Sequence, residues 1–123
     1  MTEIEGMHHV MIAIPKGGED DARSFYGEAL GLSELPKPET LRARGGVWFA
    51  AGQIQLHLGI DSEFRPATKA HIALQVSGVA ALRDRLIAAG YQLEPDASLP
   101  GFERYYVADP FGNRIEILEP MDS

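Results

Sequence analysis

The stretch HVMIAI at residues 9–14 returns in altered form as HIALQV at residues 71–76. In both copies aliphatic side chains occupy the second, fourth and sixth positions, and a histidine, His9 or His71, stands first. Because successive side chains of a β-strand point to opposite faces, the aliphatic residues share one face and the histidine heads the other. The repeat therefore predicts a duplicated fold unit that presents one imidazole from each copy.

A helical pattern follows each of these strands. In each copy apolar residues at helical spacing form one stripe, and a glycine, Gly31 or Gly90, marks the expected helix end. Ser77 is the predicted N-cap of the second helix. The stripe residues are Ala22, Phe25, Tyr26, Ala29 and Leu30 in the first copy, and Val79, Leu82, Leu86 and Ala89 in the second.

Each copy then continues through a short segment and a proline-containing loop into a predicted β-hairpin. The first hairpin pairs residues 47–50 with 53–58, and the second pairs 104–107 with 114–118. The sequence DPFG at 109–112 fits a type I turn, with an acceptor at the first position, a fixed φ at the second and glycine at the fourth. These patterns predict an α+β fold built from two βαβββ modules.

The modules are predicted at about residues 4–59 and 70–120, with a linker at 60–69, inside a single domain spanning 1–123. Each module's sheet has one face for its helix and one face left over. We expect the eight strands to form a curved mixed sheet, or an incomplete barrel, around a cleft.

Composition narrows the classes of partner. A net charge of −7 argues against nucleic acid or an anionic membrane as the main partner. The absence of cysteine excludes disulfides and thiol catalysis and is compatible with a reducing cytoplasm. The sequence shows no signal-peptide pattern in residues 1–6 and no apolar run of membrane-spanning length. We therefore expect a cytoplasmic protein whose main partner is neither nucleic acid nor a membrane.

The leftover faces carry a candidate metal site. Glu116 lies on the last strand of the second module, 45 positions after His71, and Gln55 lies 46 positions after His9. Two imidazoles with oxygen ligands suit nickel, cobalt, zinc, manganese or iron(II), and leave open positions for a substrate. His57 shares the face of Gln55 and is chemically the better ligand, but spacing favours Gln55. We predict the metal ligands His9, Gln55, His71 and Glu116, with His57 contacting substrate.

Arg104 and Trp48 are the other predicted substrate contacts. Arg104 would bind an anionic group through a forked contact, although an ordinary surface pairing with Glu94 or Glu103 is an even alternative. Trp48 would line the cleft, with core packing as its alternative. Glu116 would also be explained by a solvent-facing position on an edge strand. A lone strand histidine is most often exposed or hydrogen-bonded, and only the repeat favours metal binding.

Three stretches of this sequence resemble the vicinal oxygen chelate superfamily. They are HVMIAIP at 9–15, FYG at 25–27 with LGL at 30–32, and ADPFGNRIE at 108–116. The superfamily includes glyoxalase I, bleomycin-resistance proteins, fosfomycin-resistance thiol transferases, methylmalonyl-CoA epimerase and extradiol dioxygenases. The resemblance covers about residues 4–119 and is greatest to the compact bacterial two-module type.

The resemblance implies paired βαβββ modules, a frequent homodimer and a divalent metal held by ligands from two modules. His9 and His71 match the first-strand ligands, and Glu116 matches the last-strand carboxylate. Gln55 falls where related glyoxalases carry glutamate and the epimerase carries glutamine, which argues against glyoxalase I activity.

Three functions follow as hypotheses. The first is a metal-dependent, glyoxalase-like lyase, isomerase or epimerase that binds a small substrate through its oxygens, with Glu116 as the base. The second is a metal-free binding protein of the bleomycin-resistance kind. The third, a manganese-dependent thiol transferase, needs a cationic cleft, at which only Arg104 and Lys69 hint.

Overall fold

The computed structural model describes residues 2–122, which form two compact units with a boundary between Arg65 and Pro66. Each unit contains one four-stranded mixed sheet and its own helical segments. The predicted α+β class and the predicted pair of βαβββ modules are confirmed. The longest helix in this part of the chain has ten residues, too few to cross a bilayer.

The first unit runs through four strands and three helical segments. They are β1 (His9–Ile14), α1 (Glu19–Ala22), a π-helical continuation π1 (Arg23–Ala29), β2 (Ser33–Leu35), α2 (Glu39–Arg42), β3 (Val47–Ala51) and β4 (Ile54–Ile60). The sheet order is β1-β4-β3-β2, with β1 parallel to β4 and the other pairs antiparallel.

The predicted first helix forms, but most of it has a wider turn than an α-helix. The Leu30 amide donates to the Phe25 carbonyl at 2.9 Å, an i→i+5 bond. The wider turn lets the adjacent residues Phe25 and Tyr26 both enter the core, where neither is exposed. Leu56 and Phe49 are buried on the same side of the sheet, so the apolar face of the first module is the one predicted.

The second unit repeats this order. It contains β5 (Ile72–Gln75), α3 (Val79–Ala88), β6 (Leu93–Pro95), β7 (Phe102–Ala108) and β8 (Arg114–Pro120). The sheet order is β5-β8-β7-β6, again with the first and last strands parallel. Its core side is lined by Tyr105, Val107, Ile115 and Ile117, with Leu82 and Leu86 from α3.

The start of α3 differs from the prediction. Gly78, not Ser77, is the N-cap residue, and its φ of +85° suits glycine. The backbone amides of Gly78 and Val79 donate at 3.0 Å to the two carboxylate oxygens of Glu119, which comes from β8. These bonds lower the pKa of Glu119. A carboxylate distant in sequence therefore replaces the expected local cap.

The predicted turn at 109–112 is confirmed, and together with Asn113 it fixes the segment that precedes β5. The Gly112 amide donates to the Asp109 carbonyl, as the type I turn requires. The Asp109 carboxylate accepts from the backbone amide of Asn113 at 2.8 Å and from its side-chain amide at 2.9 Å. Asn113 Oδ1 accepts from the Ala67 amide, and the Arg114 amide donates to the Ala67 carbonyl. The turn thus holds residue 67 beside β8.

Candidate functional site

The polar face of the first sheet brings together four residues singled out in the sequence. His9 lies opposite Gln55 on the β1–β4 ladder, and His57 lies opposite both Met11 and Trp48. We call the group of His9, Trp48, Gln55 and His57 the first half-site. Trp48 is half-buried on this face, so the alternative of full core packing does not apply to it.

His57 is the centre of the first half-site. Its ring stacks on Trp48 at 3.8 Å between centroids and on His9 at 4.2 Å. Nε2 lies 2.9 Å from Gln55 Oε1, which accepts its proton. Burial, with the neighbouring imidazole of His9, lowers the pKa of His57 below its usual value. His57 is therefore neutral near pH 7 and keeps a lone pair on Nδ1.

His9 presents a second ring nitrogen. Its Nδ1 lies 2.9 Å from Nδ1 of His8, so one of the two rings donates to the other. Within residues 2–122 no hydrogen bond engages Nε2 of His9. The first half-site thus offers two imidazoles and an amide oxygen, all of them donors that a divalent metal accepts.

The second sheet carries a matching set, which we call the second half-site: His71, Arg104, Tyr106 and Glu116. His71 lies directly before β5, and its Nδ1 lies 2.8 Å from the Lys69 carbonyl oxygen while its Nε2 lies 2.9 Å from Glu116 Oε1. A carbonyl and a carboxylate both accept, whereas a neutral imidazole has only one N–H. The geometry fits a doubly protonated ring, a protonated Glu116, or a cation between Nε2 and Oε1.

Arg104 is tied to its surroundings through both terminal nitrogens. NH1 donates to the Tyr106 hydroxyl at 2.6 Å and lies 3.3 Å from Glu116 Oε2. NH2 donates to Ser98 Oγ at 2.9 Å and lies 3.3 Å from Asp96. The alternative pairing with Glu94 or Glu103 is not formed among residues 2–122. Arg104 instead holds the second oxygen of Glu116, with its own Nε buried and without a partner among residues 2–122.

Arg114 was not singled out in the sequence, yet it lies on the same face of β8 as Glu116. Its guanidinium carbon lies 3.7 Å from the centre of the Tyr106 ring. With Tyr106 it lines a cavity of about 350 Å³ within the second unit. The alternation of β8 could have pointed to this residue, since positions 114 and 116 share a face.

The ladders also show which first-module residue corresponds to Glu116. Two residues after His9, Met11 lies opposite His57, and two residues after His71, Ala73 lies opposite Glu116. His57 therefore occupies in the first module the place that Glu116 occupies in the second. Sequence spacing favoured Gln55 because the two modules differ in length between these strands.

Each unit contains two of the four predicted ligands. Among residues 2–122 no group of three or more histidine and carboxylate side chains lies in an arrangement that could hold a metal ion. The chemistry of the donors nevertheless fits a divalent cation, because His71 directs one nitrogen to a backbone carbonyl and the other to a carboxylate. A contact of Nδ1 with a backbone carbonyl is one that commonly orients a metal-ligating histidine, and Glu116 could share an ion with Nε2.

Comparison with solved structures shows relatives of nearly the same length. A glyoxalase family protein from Bacillus anthracis shares 44% identity, with a TM-score of 0.95 over 98% of this chain and 99% of that one. Lactoylglutathione lyase from Agrobacterium tumefaciens shares 20% identity, with a TM-score of 0.75 over 96% of each chain. A third relative is an E126Q mutant of the fosfomycin resistance protein FosX from Listeria monocytogenes, complexed with Mn(II) and 1S,2S-dihydroxypropylphosphonic acid. It shares 16% identity, with a TM-score of 0.79 over 97% of this chain and 95% of that one.

A comparison with curated proteins found no significant match. A family model, by contrast, matches residues 6–117, a range that includes both modules and both half-sites. Together with the 44% identity over almost the whole chain, it shows that this protein belongs to the Glyoxalase/Bleomycin resistance protein/Dioxygenase superfamily, the vicinal oxygen chelate superfamily.

Proposed function

We propose that this protein is a metal-dependent enzyme of the lyase, isomerase or epimerase type that acts on a small oxygenated substrate. The observation that carries the proposal is the position of His71 between two acceptors, the Lys69 carbonyl and Glu116. When Nδ1–H donates to the carbonyl, the Nε2 lone pair faces a carboxylate oxygen. This arrangement is repulsive, and a bound cation would relieve it.

The proposed ligands are His9, His71 and Glu116, with a fourth from Gln55 or His57, taken from both modules of one chain or of two. The ladder equivalence with Glu116 and the lone pair on Nδ1 favour His57 for the fourth position. A divalent metal held there would polarise substrate oxygens and stabilise a developing enolate or alkoxide.

Glu116 is the proposed base. It is almost completely buried, and its Oε2 is held by Arg104 at 3.3 Å while its Oε1 faces His71. The Arg104 contact fixes the direction of the carboxylate, which could accept a proton from a substrate. Tyr106 packs edge-on against His71.

Metal titration of the chelator-treated protein tests the proposal. We expect one equivalent of nickel, cobalt, zinc, manganese or iron(II) to bind per chain, measured by calorimetry and elemental analysis. His71→Ala and Glu116→Gln should each lower the affinity at least about 100-fold, more than loss of a group that merely orients a ligand. Glu103→Gln is the matched control, since it changes a carboxylate on the opposite face of the same hairpin.

The same titration assigns the fourth ligand. His57→Ala should weaken binding about 100-fold and Gln55→Ala about 10-fold, because Gln55 then only orients His57 through its hydrogen bond. The reverse order would assign Gln55. Wild-type protein that takes up none of these metals, although circular dichroism shows it folded, would contradict the enzyme proposal.

A metal-free small-molecule binding protein is the second candidate, and one observation favours it. Arg104 already places a positive charge beside Glu116, and the stacked rings of Trp48, His57 and His9 form an aromatic surface. Such a surface suits a planar ligand without any metal. Failure of metal uptake in the titration would select this function.

We further propose a homodimer. β1 and β2 are the edges of the first sheet, and β5 and β6 are the edges of the second, and such edges are commonly covered by pairing. Light scattering at micromolar concentration should give twice the mass of one chain. The cytoplasmic location stays a prediction from the cysteine-free sequence.

A further inference from the structure

We propose that the cavity beside Glu116 binds an oxyanion through Arg114, so that the substrate of the proposed enzyme carries a carboxylate or phosphate group. The statement about substrate rests on the proposed function. The oxyanion site itself does not, because it lies within the second unit and requires no metal.

The Arg114 guanidinium is held in place by an aromatic ring. Its carbon lies over the Tyr106 ring, 3.7 Å from the ring centre, and this cation–π contact restrains the side chain. Within residues 2–122 it forms neither an ion pair nor a side-chain hydrogen bond. Arg104, by contrast, uses both terminal nitrogens on protein partners. Arg114 is thus a fixed cation with its fork of donors still available, the arrangement that binds oxyanions.

Arg114 lines a cavity of the second unit together with other polar residues. The cavity has a volume of about 350 Å³, enough for a small organic acid, and its lining includes Thr68 and Gln92, whose side chains can donate hydrogen bonds. Thr68 is fixed there because its neighbour Ala67 is bonded to Asn113 and to the Arg114 backbone. Two further groups able to donate hydrogen bonds therefore accompany the guanidinium.

Arg114 also lies close to Glu116 along β8. Arg114 and Glu116 lie two residues apart on the same face, which places their Cα atoms about 7 Å apart. A molecule anchored by its acidic group at Arg114 would therefore present atoms a few bonds away to Glu116 and His71. This selects small acids with a second oxygen function and disfavours neutral substrates.

Glu94 also lines the cavity and carries the opposite charge. It lies beyond ion-pair distance of Arg114, so it does not neutralise the guanidinium. It should nevertheless repel a bound anion. Removal of this charge therefore ought to strengthen anion binding, whereas removal of Arg114 ought to weaken it, and the two opposite effects identify the cavity as the binding place.

The test is an NMR titration of chelator-treated protein at constant ionic strength. Inorganic phosphate and acetate are the two probes, and acetamide is the neutral counterpart of acetate. We expect at least one anion to shift the backbone amide signals of Thr68, Gly112 and Arg114 with saturation, and acetamide to leave them in place. The anion that binds more tightly identifies the acidic group as phosphate or carboxylate.

Variants then locate the contact. Arg114→Gln should weaken binding at least about 10-fold, Arg114→Lys should retain part of it because the point charge remains, and Glu94→Gln should strengthen it about two-fold. Arg85→Gln, an exposed arginine on α3, is the matched control and should bind as wild type does. Spectral dispersion of each variant shows that it is folded.

The site would be refuted if neither anion shifts these signals, or if Arg114→Gln binds as tightly as wild type. Because metal is absent throughout, either result would leave the metal proposal standing. Conversely, if the protein binds an anion at Arg114 but no metal, the oxyanion site would stand and the proposal of a metal-dependent enzyme would fail.

Discussion

His57 and Glu116 hold equivalent places in the two modules but differ in charge. His57 is a neutral imidazole held between two aromatic rings, with its pKa lowered by burial and by His9. Glu116 is a carboxylate held between an imidazole and Arg104. The second module therefore supplies the negative charge that would compensate a divalent cation, and the first supplies neutral donors.

Tyr105 gives a pH-dependent prediction at the scale of one residue. It points away from the second half-site into the core, where its hydroxyl donates to the Val79 carbonyl at 3.0 Å. Burial raises its pKa to about 12, above the value of about 10 in an unfolded chain. Its contribution to stability is therefore complete below pH 10 and is lost as pH rises from 10 towards 12.

At pH 11.5 this loss should be about 2 kcal/mol for the wild type, and it should be absent in Tyr105→Phe. Urea unfolding gives the free energy of unfolding of each protein at pH 8 and at pH 11.5. The loss due to Tyr105 is the decrease between these pH values in the wild type minus the decrease in Tyr105→Phe. Equal alkaline losses in wild type and variant would show that Tyr105 ionises as easily in the folded state as in the unfolded one.

At the scale of elements, the turn at 109–113 does more than reverse the chain. Asn113 is nearly inaccessible to solvent, and its amide joins the Asp109 carboxylate to the Ala67 backbone. The turn therefore holds in place the segment before β5. This segment contains Thr68 and Lys69, and the Lys69 carbonyl orients His71. The turn thus supports the second half-site from outside it.

Asn113→Ala should lower the free energy of unfolding by about 2–4 kcal/mol, because it removes the acceptor of the Ala67 amide and a donor to the buried Asp109 carboxylate. Asn113→Asp should be at least as costly, since it sets a second carboxylate against Asp109. Pro110→Ala, which changes an exposed residue of the same turn, should cost less than about 1 kcal/mol.

Urea unfolding at pH 7 ranks these three variants, and hydrogen exchange of the Arg114 amide adds a local readout. Faster exchange at Arg114 is expected in Asn113→Ala, because the Ala67 carbonyl that accepts from this amide loses its anchor. An Asn113→Ala protein as stable as Pro110→Ala would show that the turn does not depend on the side-chain amide.

The sequence predicted the elements whose information is local or periodic. Alternation assigned the buried faces of β1, β4 and β8, and the order Asp109, Pro110, Gly112 predicted the turn. Alternation also separated the polar residues of each half-site from the core. These are properties of a few neighbouring residues, so they can be inferred without the fold.

What the sequence did not reveal depends on contacts between distant residues. Glu119 caps α3 from a strand about forty positions away, and Ser77 looked like the better cap only because it is adjacent. Arg104 was predicted to bind substrate, whereas in the structure its guanidinium contacts Asp96, Ser98 and Glu116. Arg114 was overlooked because stacking on Tyr106 leaves no mark in the sequence.

At the scale of the whole molecule, the duplication divides the proposed metal ligands equally. The first half-site holds His9 and His57, the second holds His71 and Glu116, and each half-site offers too few ligands for a stable site of its own. If one metal ion takes ligands from both modules, as we propose, a change in either module should weaken the same binding event.

His9→Ala should consequently reduce metal uptake as severely as His71→Ala, at least about 100-fold in affinity, although the two residues lie in different units. His8→Ala is the control, because it removes only the neighbour that contacts His9 Nδ1 and should cost about 10-fold or less. Calorimetric stoichiometry provides the decisive measurement. A wild type that binds two equivalents per chain, one of which survives in His9→Ala with unchanged affinity, would mean that each module binds its own ion and that the duplicated imidazoles do not serve a common centre.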